Sequence, residues 1–232
     1  RDTVWTLWGQ PQAINAGDGM YTVAYLKLSQ LPERGVPVQR AMAALRLLSE
    51  TCLALTEGQY LDMSFEAEPV VELEEYLWMI RCKSAALIAC ATHMGALLGG
   101  AQPEITGAYR QFGDYLGMAF QVIDDLLGIW GSEQETGKST SSDILTRKKT
   151  LPVVYALGNP ALQDLYAQGS IHAEDVPRII ELLERSGARA YAERMAAQYS
   201  AQALYQLQRT GLDTPAHQAM GELARSLLDR TS

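Results

Sequence analysis

Phe120-Gln121-Val122-Ile123-Asp124-Asp125-Leu126-Leu127-Gly128-Ile129-Trp130 is the stretch that decides how this chain is read. Its apolar residues recur with the 3.6-residue period of a helix, yet two adjacent carboxylates stand inside the run. Carboxylates in that setting are costly unless cations pair with them or a cavity solvates them. Gln121, Asp124, Asp125 and Gly128 fall at i, i+3, i+4 and i+7, so they share one helix face, and Gly113 and Gly117 continue that face toward the N-terminus. A stripe of small and carboxylate side chains either lines a cavity or lets a second helix approach closely. Two hard carboxylate oxygens on one face suit Mg²⁺, which keeps several waters and bridges to substrate phosphates. A solvated helix edge, or an ion pair with a neighbouring helix, accounts for the dipeptide equally well on its own.

The segment that follows shifts the balance toward chemistry. Gly131 to Lys149 is a polar loop that holds Thr136-Gly137-Lys138, Asp143 and then Arg147-Lys148-Lys149-Thr150-Leu151-Pro152. A structureless connector of that length inside a domain is usually functional or disordered. Cations close in sequence to metal-binding carboxylates fit an oligophosphate held through carboxylate–metal–phosphate bridges on one side and lysine on the other. Gly137-Lys138-Ser139 lacks the glycine spacing and the preceding strand of a P-loop. Solvated loop charge is the plainer account of Lys138 and Lys148.

Working outward, helical periodicity covers the rest. Helices are expected at Pro11 to Leu28, Val36 to Phe65, Val71 to Leu98 and Glu104 to Trp130, with shorter ones at Leu151 to Leu157, Pro160 to Gln168, Ala173 to Ser186, Ala188 to Thr210 and Thr214 to Asp229. Pro32-Glu-Arg-Gly35, Glu68-Pro69 and Gly99-Gly100 supply the breaks. No period-2 strand or fixed-period repeat is visible. The third helix carries Lys83-Ser84 just before its charge-free stretch, and such a lysine either snorkels to the surface or is aimed into a polar cavity. The second carries Gln59, Asp62 and Glu66 at i, i+3 and i+7, a stripe that an exposed face would also show.

Composition bounds the function. The chain has 232 residues, 47% of them hydrophobic, and a formal charge of −8. That is ample for a core and rules out intrinsic disorder. The acidic balance and the lack of a basic block argue against nucleic acid or a membrane surface as partner. Ser84 to Pro103 carries no formal charge but is rich in Ala, Gly, Thr and Ser, so a buried helix is a better reading than a membrane span. Cys52, Cys82 and Cys90 form no CxxC pair and read as reduced core thiols of a cytoplasmic protein, and His93, His172 and His217 lack metal-ligand spacing.

Taken together, these residues resemble the trans-isoprenyl (polyprenyl) diphosphate synthases, of the farnesyl/geranylgeranyl type. The similarity starts at Thr3-Val4-Trp5 and Ala13-Ile14-Asn15-Ala16-Gly17-Asp18. It continues through Gly58-Gln59-Tyr60-Leu61-Asp62 and Lys83-Ser84, and it is strongest from Phe120-Gln121 to Thr150-Leu151-Pro152. Each motif is weak; their order and spacing are specific. The resemblance implies an all-α isoprenoid-synthase bundle around a central cavity, formed by residues 1–232 as a single domain whose N-terminal helices lie upstream. It implies Mg²⁺-dependent condensation of isopentenyl diphosphate with an allylic diphosphate, by ionisation, alkylation and proton loss. It assigns Asp124 and Asp125 as metal ligands, and Lys83, Lys138 and Lys148 as holders of the allylic diphosphate. Gln121 and Ser84 support that diphosphate, Gln59 lines the cavity near the reacting carbon, and Pro11 to Leu28 helps form a homodimer.

The chain departs from the family pattern at three places. Gly128 stands where a third Asp is common, and Arg147 where Gly is usual before the final Lys. The chain opens at Arg1-Asp2 without Met, and the first aspartate-rich motif with its arginine pair is expected just upstream, so activity is expected to require that part. Two competing readings follow: a non-catalytic subunit of a heteromeric synthase, and a class I terpene cyclase. A cyclase typically has a carboxylate eight residues after the first metal-motif residue; from Asp124 that position is Ser132, with Glu133 one place off.

Overall fold

The computed structural model describes residues 2–131 and 141–228, and every regular element among them is helical. A short α1 (Val4–Trp8) turns at Gly9, at φ 80°, into α2 (Gln10–Ser29). No residue of either helix is buried. After Pro37, α3 (Val38–Phe65) runs antiparallel to α5 (Ala86–Leu98), and the break at Glu68-Pro69 leads to α4 (Leu73–Ile80). A capping box opens α4: the Glu72 amide donates to Glu75 Oε2 at 3.2 Å, and the Glu72 side chain accepts in return.

The single rod expected from Val71 to Leu98 is in fact α4, one π turn at Arg81–Ala85, and α5 (Ala86–Leu98). The Ala86 amide reaches back five residues to the Arg81 carbonyl, which inserts one extra residue into the turn. This turn lies against α3 at Gly58, where a Cβ would come within 2.5 Å of the Lys83 amide nitrogen. Backbone-to-backbone contact at that one glycine holds the widened turn against α3.

The central helix is α6 (Pro103–Trp130), with α5 on one side and α11 (Ala188–Arg209) on another. Of the two roles open to the glycine stripe, close helix approach is the one adopted. A Cβ on Gly117 would lie 2.4 Å from Ala85 Cα, and one on Gly113 would lie 2.7 Å from Ala89 Cα. The opposite flank of α6 is apolar: Met118, Val122, Ile123 and Leu126 pack with Tyr76, Met79 and Ile80 of α4 and Ala192 and Ala196 of α11.

Beyond the undescribed 132–140, α7 (Ser142–Leu145) and α8 (Leu151–Ala156) return the chain to α6. Then α9 (Pro160–Ala167) and α10 (Val176–Arg185) build a second core around Ile129, Ile144, Leu162, Ile179 and Leu183. Expected from Ala173, α10 instead begins at Val176, because Pro177 favours the first helical turn. Finally α12 (Pro215–Leu228) covers Phe112 and Leu116 of α6 together with α11. Cys82 and Cys90 are buried free thiols and Cys52 is half-buried. No described helix is long and apolar enough to cross a membrane.

Candidate active site

Three helix segments bring the polar residues together at one end of the bundle: the C-terminal turns of α3, the π turn, and the last third of α6. The segment after α7 closes the group. Their centre is Asp125, whose side chain is completely buried. Oδ2 accepts from the Tyr76 hydroxyl and, at 2.9 Å, from the Leu151 amide that opens α8. Oδ1 accepts from Gln121 Nε2 at 3.2 Å and lies 3.6 Å from Lys148 Nζ. Burial pushes the Asp125 carboxyl above its ordinary value, and Lys148, Tyr76, the Leu151 amide and Gln121 act the other way. Four donors converging on two oxygens are built to hold the ionised carboxylate. The Tyr76 hydroxyl, buried against that carboxylate, is driven well above its usual range by desolvation and then by Asp125.

Gln121 passes the network on. Its Oε1 accepts from Ser84 Oγ at 2.6 Å, so the π turn is tied to Asp125 through one amide. Lys83, next to Ser84, ion-pairs with Asp62 of α3. Lys148 lies between Asp125 and Asp143, whose Oδ2 is 3.2 Å from its ammonium. Desolvation alone would lower the Lys148 ammonium, but Asp125 and Asp143 outweigh it and raise it above its ordinary value. A small cavity of about 180 Å³, lined by Asp62, Phe65, Glu66, Thr146, Lys148 and Lys149, lies between the α3 end and the Lys148 segment.

The two adjacent aspartates are divided by this arrangement. Successive residues of a helix point about 100° apart. Asp125 is turned into the interior with both oxygens engaged, and Asp124 is exposed. The expectation of two metal-facing carboxylates is thereby narrowed to Asp124, which has no hydrogen bond or ion pair to any described residue. Among the described residues no group of three or more His, Cys, Asp or Glu gathers in metal-binding geometry. A single outward carboxylate beside Lys148 does fit an ion such as Mg²⁺, which completes its shell with water and phosphate oxygens. Gln59 is exposed one turn before Asp62, and Leu87, one turn beyond Lys83, is 51% exposed. Lys138 lies outside the described residues.

The three adjacent cations part company. Arg147 adopts φ 57°, the left-handed region where glycine is favoured, and its guanidinium donates to the Tyr166 carbonyl at 2.6 Å and the Gly169 carbonyl at 3.2 Å. Those bonds offset the backbone cost of a non-glycine residue there. Lys149 is buried with its ammonium 5.5 Å from the centre of the Tyr166 ring. Only Lys148 turns toward α6. Sequence reasoning named Asp143 in the polar loop without giving it a role, and it missed Tyr76 and the Leu151 amide as members of the site. Tyr76 sits in an ordinary apolar helical run, and nothing local marks it as polar-facing. The Lys83–Asp62 pair was legible in part, because Asp62 belonged to the polar stripe of the second helix.

Comparison with known proteins adds to this geometry. The family model described as polyprenyl synthetase matches residues 1–183. The (2E,6E)-farnesyl diphosphate synthase of Mycobacterium tuberculosis is 39% identical over 99% of this chain and 65% of its own length. The geranylgeranyl diphosphate synthase of the same organism is 40% identical over 84% of this chain and 57% of its own. The crystal structure of polyprenyl synthetase from Streptomyces coelicolor A3(2) superposes with a TM-score of 0.81 at 36% identity, over 99% of this chain and 68% of that one. The chain thus spans somewhat less than two thirds of the length of these two curated relatives.

Proposed function

This chain belongs to the polyprenyl synthetase family, and from that premise we propose that its protein condenses isopentenyl diphosphate with an allylic diphosphate to give a longer prenyl diphosphate. The observation that supports the reading is the cavity bordered by Lys148 and by Asp62, the ion-pair partner of Lys83, with Asp124 facing outward on α6 next to the Asp125 that Lys148 pairs with. In this reading Lys83 and Lys148 hold the departing diphosphate, with Lys138 as a third cation from the loop. Asp124 would hold Mg²⁺, which when bound neutralises charge on the diphosphate. Ser84 and Gln121 orient the phosphate end by hydrogen bonds, and Gln59 faces the reacting carbon. Asp125 is the anchor that fixes Gln121 and Lys148. Apolar walls of the cavity exclude water from the electron-poor carbon that forms as the diphosphate leaves.

The test is a tracer assay on the longest native form of the protein. Labelled isopentenyl diphosphate, an allylic diphosphate and Mg²⁺ are expected to give a labelled prenyl diphosphate that chelation abolishes. A protein that ionises the allylic substrate without incorporating label would overturn the proposal.

We further propose that the protein acts as one all-helical domain in the cytoplasm and as a homodimer. Ile14, Met20, Val23 and Leu26 of α2, with Trp5 and Trp8 of α1, are each more than half exposed. Large apolar side chains left exposed along both helices support an association surface there. Light scattering is expected to give twice the chain mass, and Ile14→Glu with Val23→Glu is expected to shift it toward the monomer. A monomer in the unmutated protein at micromolar concentration would remove this part of the proposal.

A further inference from the structure

Built onto Gly128, a Cβ would stand 2.3 Å from Asp143 Oδ2 and 2.6 Å from its Cγ. The carboxylate of Asp143 therefore lies flat on the α6 backbone, in space that any other residue at 128 would fill. From that seat it holds Lys148 twice: its Oδ2 takes the ammonium at 3.2 Å, and its backbone carbonyl accepts the Lys148 amide at 2.9 Å. Asp125 Oδ1 faces the same ammonium at 3.6 Å.

An ammonium has three N–H donors. Two carboxylates from different elements engage part of that set, and the Lys148 side chain keeps 34% of its surface exposed. Lys148 also lines the cavity of about 180 Å³ at the end of α3, where an anionic oxygen can meet the donor that is left. A lysine on a flexible stem loses much of its side-chain entropy when it is fixed, and here that cost is met before a ligand arrives.

We propose that Asp143 is a positioning residue for Lys148, and that Gly128 is glycine because this carboxylate occupies its side-chain space. The inference rests on the reading of Lys148 as a diphosphate ligand. Asp143 touches no substrate in this scheme; it acts through the lysine.

Inorganic pyrophosphate with Mg²⁺, titrated by calorimetry into the full native protein, is the probe. Asp143→Asn keeps the shape and removes the charge, and Gly128→Ala displaces the carboxylate without altering it. Each is expected to weaken pyrophosphate binding about tenfold, the low end of what loss of a supporting partner costs at a site. In a Lys148→Ala background, Asp143→Asn is expected to change nothing further, since a residue that acts through another shows no independent effect. Carrying Gly128→Asp on top of Asp143→Gly, which returns a carboxylate to the same space from α6, is expected to restore part of the lost affinity. An Asp143→Asn effect that adds in full to that of Lys148→Ala overturns the proposal, as does a fall in Tm with affinity unchanged. If Lys148→Ala leaves pyrophosphate binding intact, the reading of Lys148 as a ligand fails first, and the proposal falls with it.

Discussion

Asp124→Ala is expected to lower condensation of isopentenyl and allylic diphosphates roughly 10³-fold, with the Tm of the protein unchanged. The two halves of this expectation have separate physical origins. Asp124 is exposed and has no bond to a described residue, so among the described residues its removal leaves no buried group without a partner. In the proposed function it holds the Mg²⁺ that neutralises the leaving diphosphate, and its loss takes away that charge stabilisation. Steady-state turnover of the full native protein across a Mg²⁺ titration checks the first half, and calorimetric unfolding the second. Unchanged turnover would remove Asp124 from the metal site.

Asp125→Ala is expected to show the opposite signature. The substitution leaves the Tyr76 hydroxyl, the Leu151 amide, the Gln121 amide and the Lys148 ammonium around a fully buried void. Breaking a buried charge network by removing one partner costs about 3–5 kcal/mol. In a chain of this size that lowers Tm by roughly 10 °C. Activity is expected to fall as well, because Gln121 and Lys148 lose the group that fixes them. Asp125→Asn keeps the volume but sets a donor among donors, so it is expected to be less damaging to packing yet still destabilising. A Tm within a degree of the unmutated protein for Asp125→Ala would show that the four-donor web contributes nothing to the fold.

The contrast between neighbours shows how far the sequence could be read. Helix period put Asp124 and Asp125 on one face, and the structure divides them. The period could not say that about 100° of rotation puts one in water and the other in the interior, because that depends on where Tyr76 and Leu151 arrive. The glycines at 113 and 117 were legible as either cavity lining or close approach, and Ala85 and Ala89 across the seam decide it. Long helices such as α3 and α6 were visible with ends within a residue or two, since period, proline and glycine all agree there. The π turn was not visible, because one extra residue barely changes an apolar pattern, and the glycine it packs against, Gly58 on another helix, is distant in sequence. Arg147 looked like a simple departure from a glycine. Its left-handed backbone, held by carbonyls of residues 166 and 169, explains both the usual glycine and how an arginine serves instead.

That π turn has a consequence for how the rod from α4 to α5 divides its work. Up to Ile80 the rod is phased so that Tyr76 meets Asp125 and Met79 meets the apolar flank of α6. From Ala85 on it is phased so that Ala85 and Ala89 drop into the glycine seam. An unbroken α-helix keeps one phase along its length and could satisfy only one of these two partners. The added residue acts as an offset between two screw threads, and Lys83 and Ser84 sit on the offset itself. Removing a single residue from 81–85 would therefore leave both threads intact as helices while putting one of them out of step with α6.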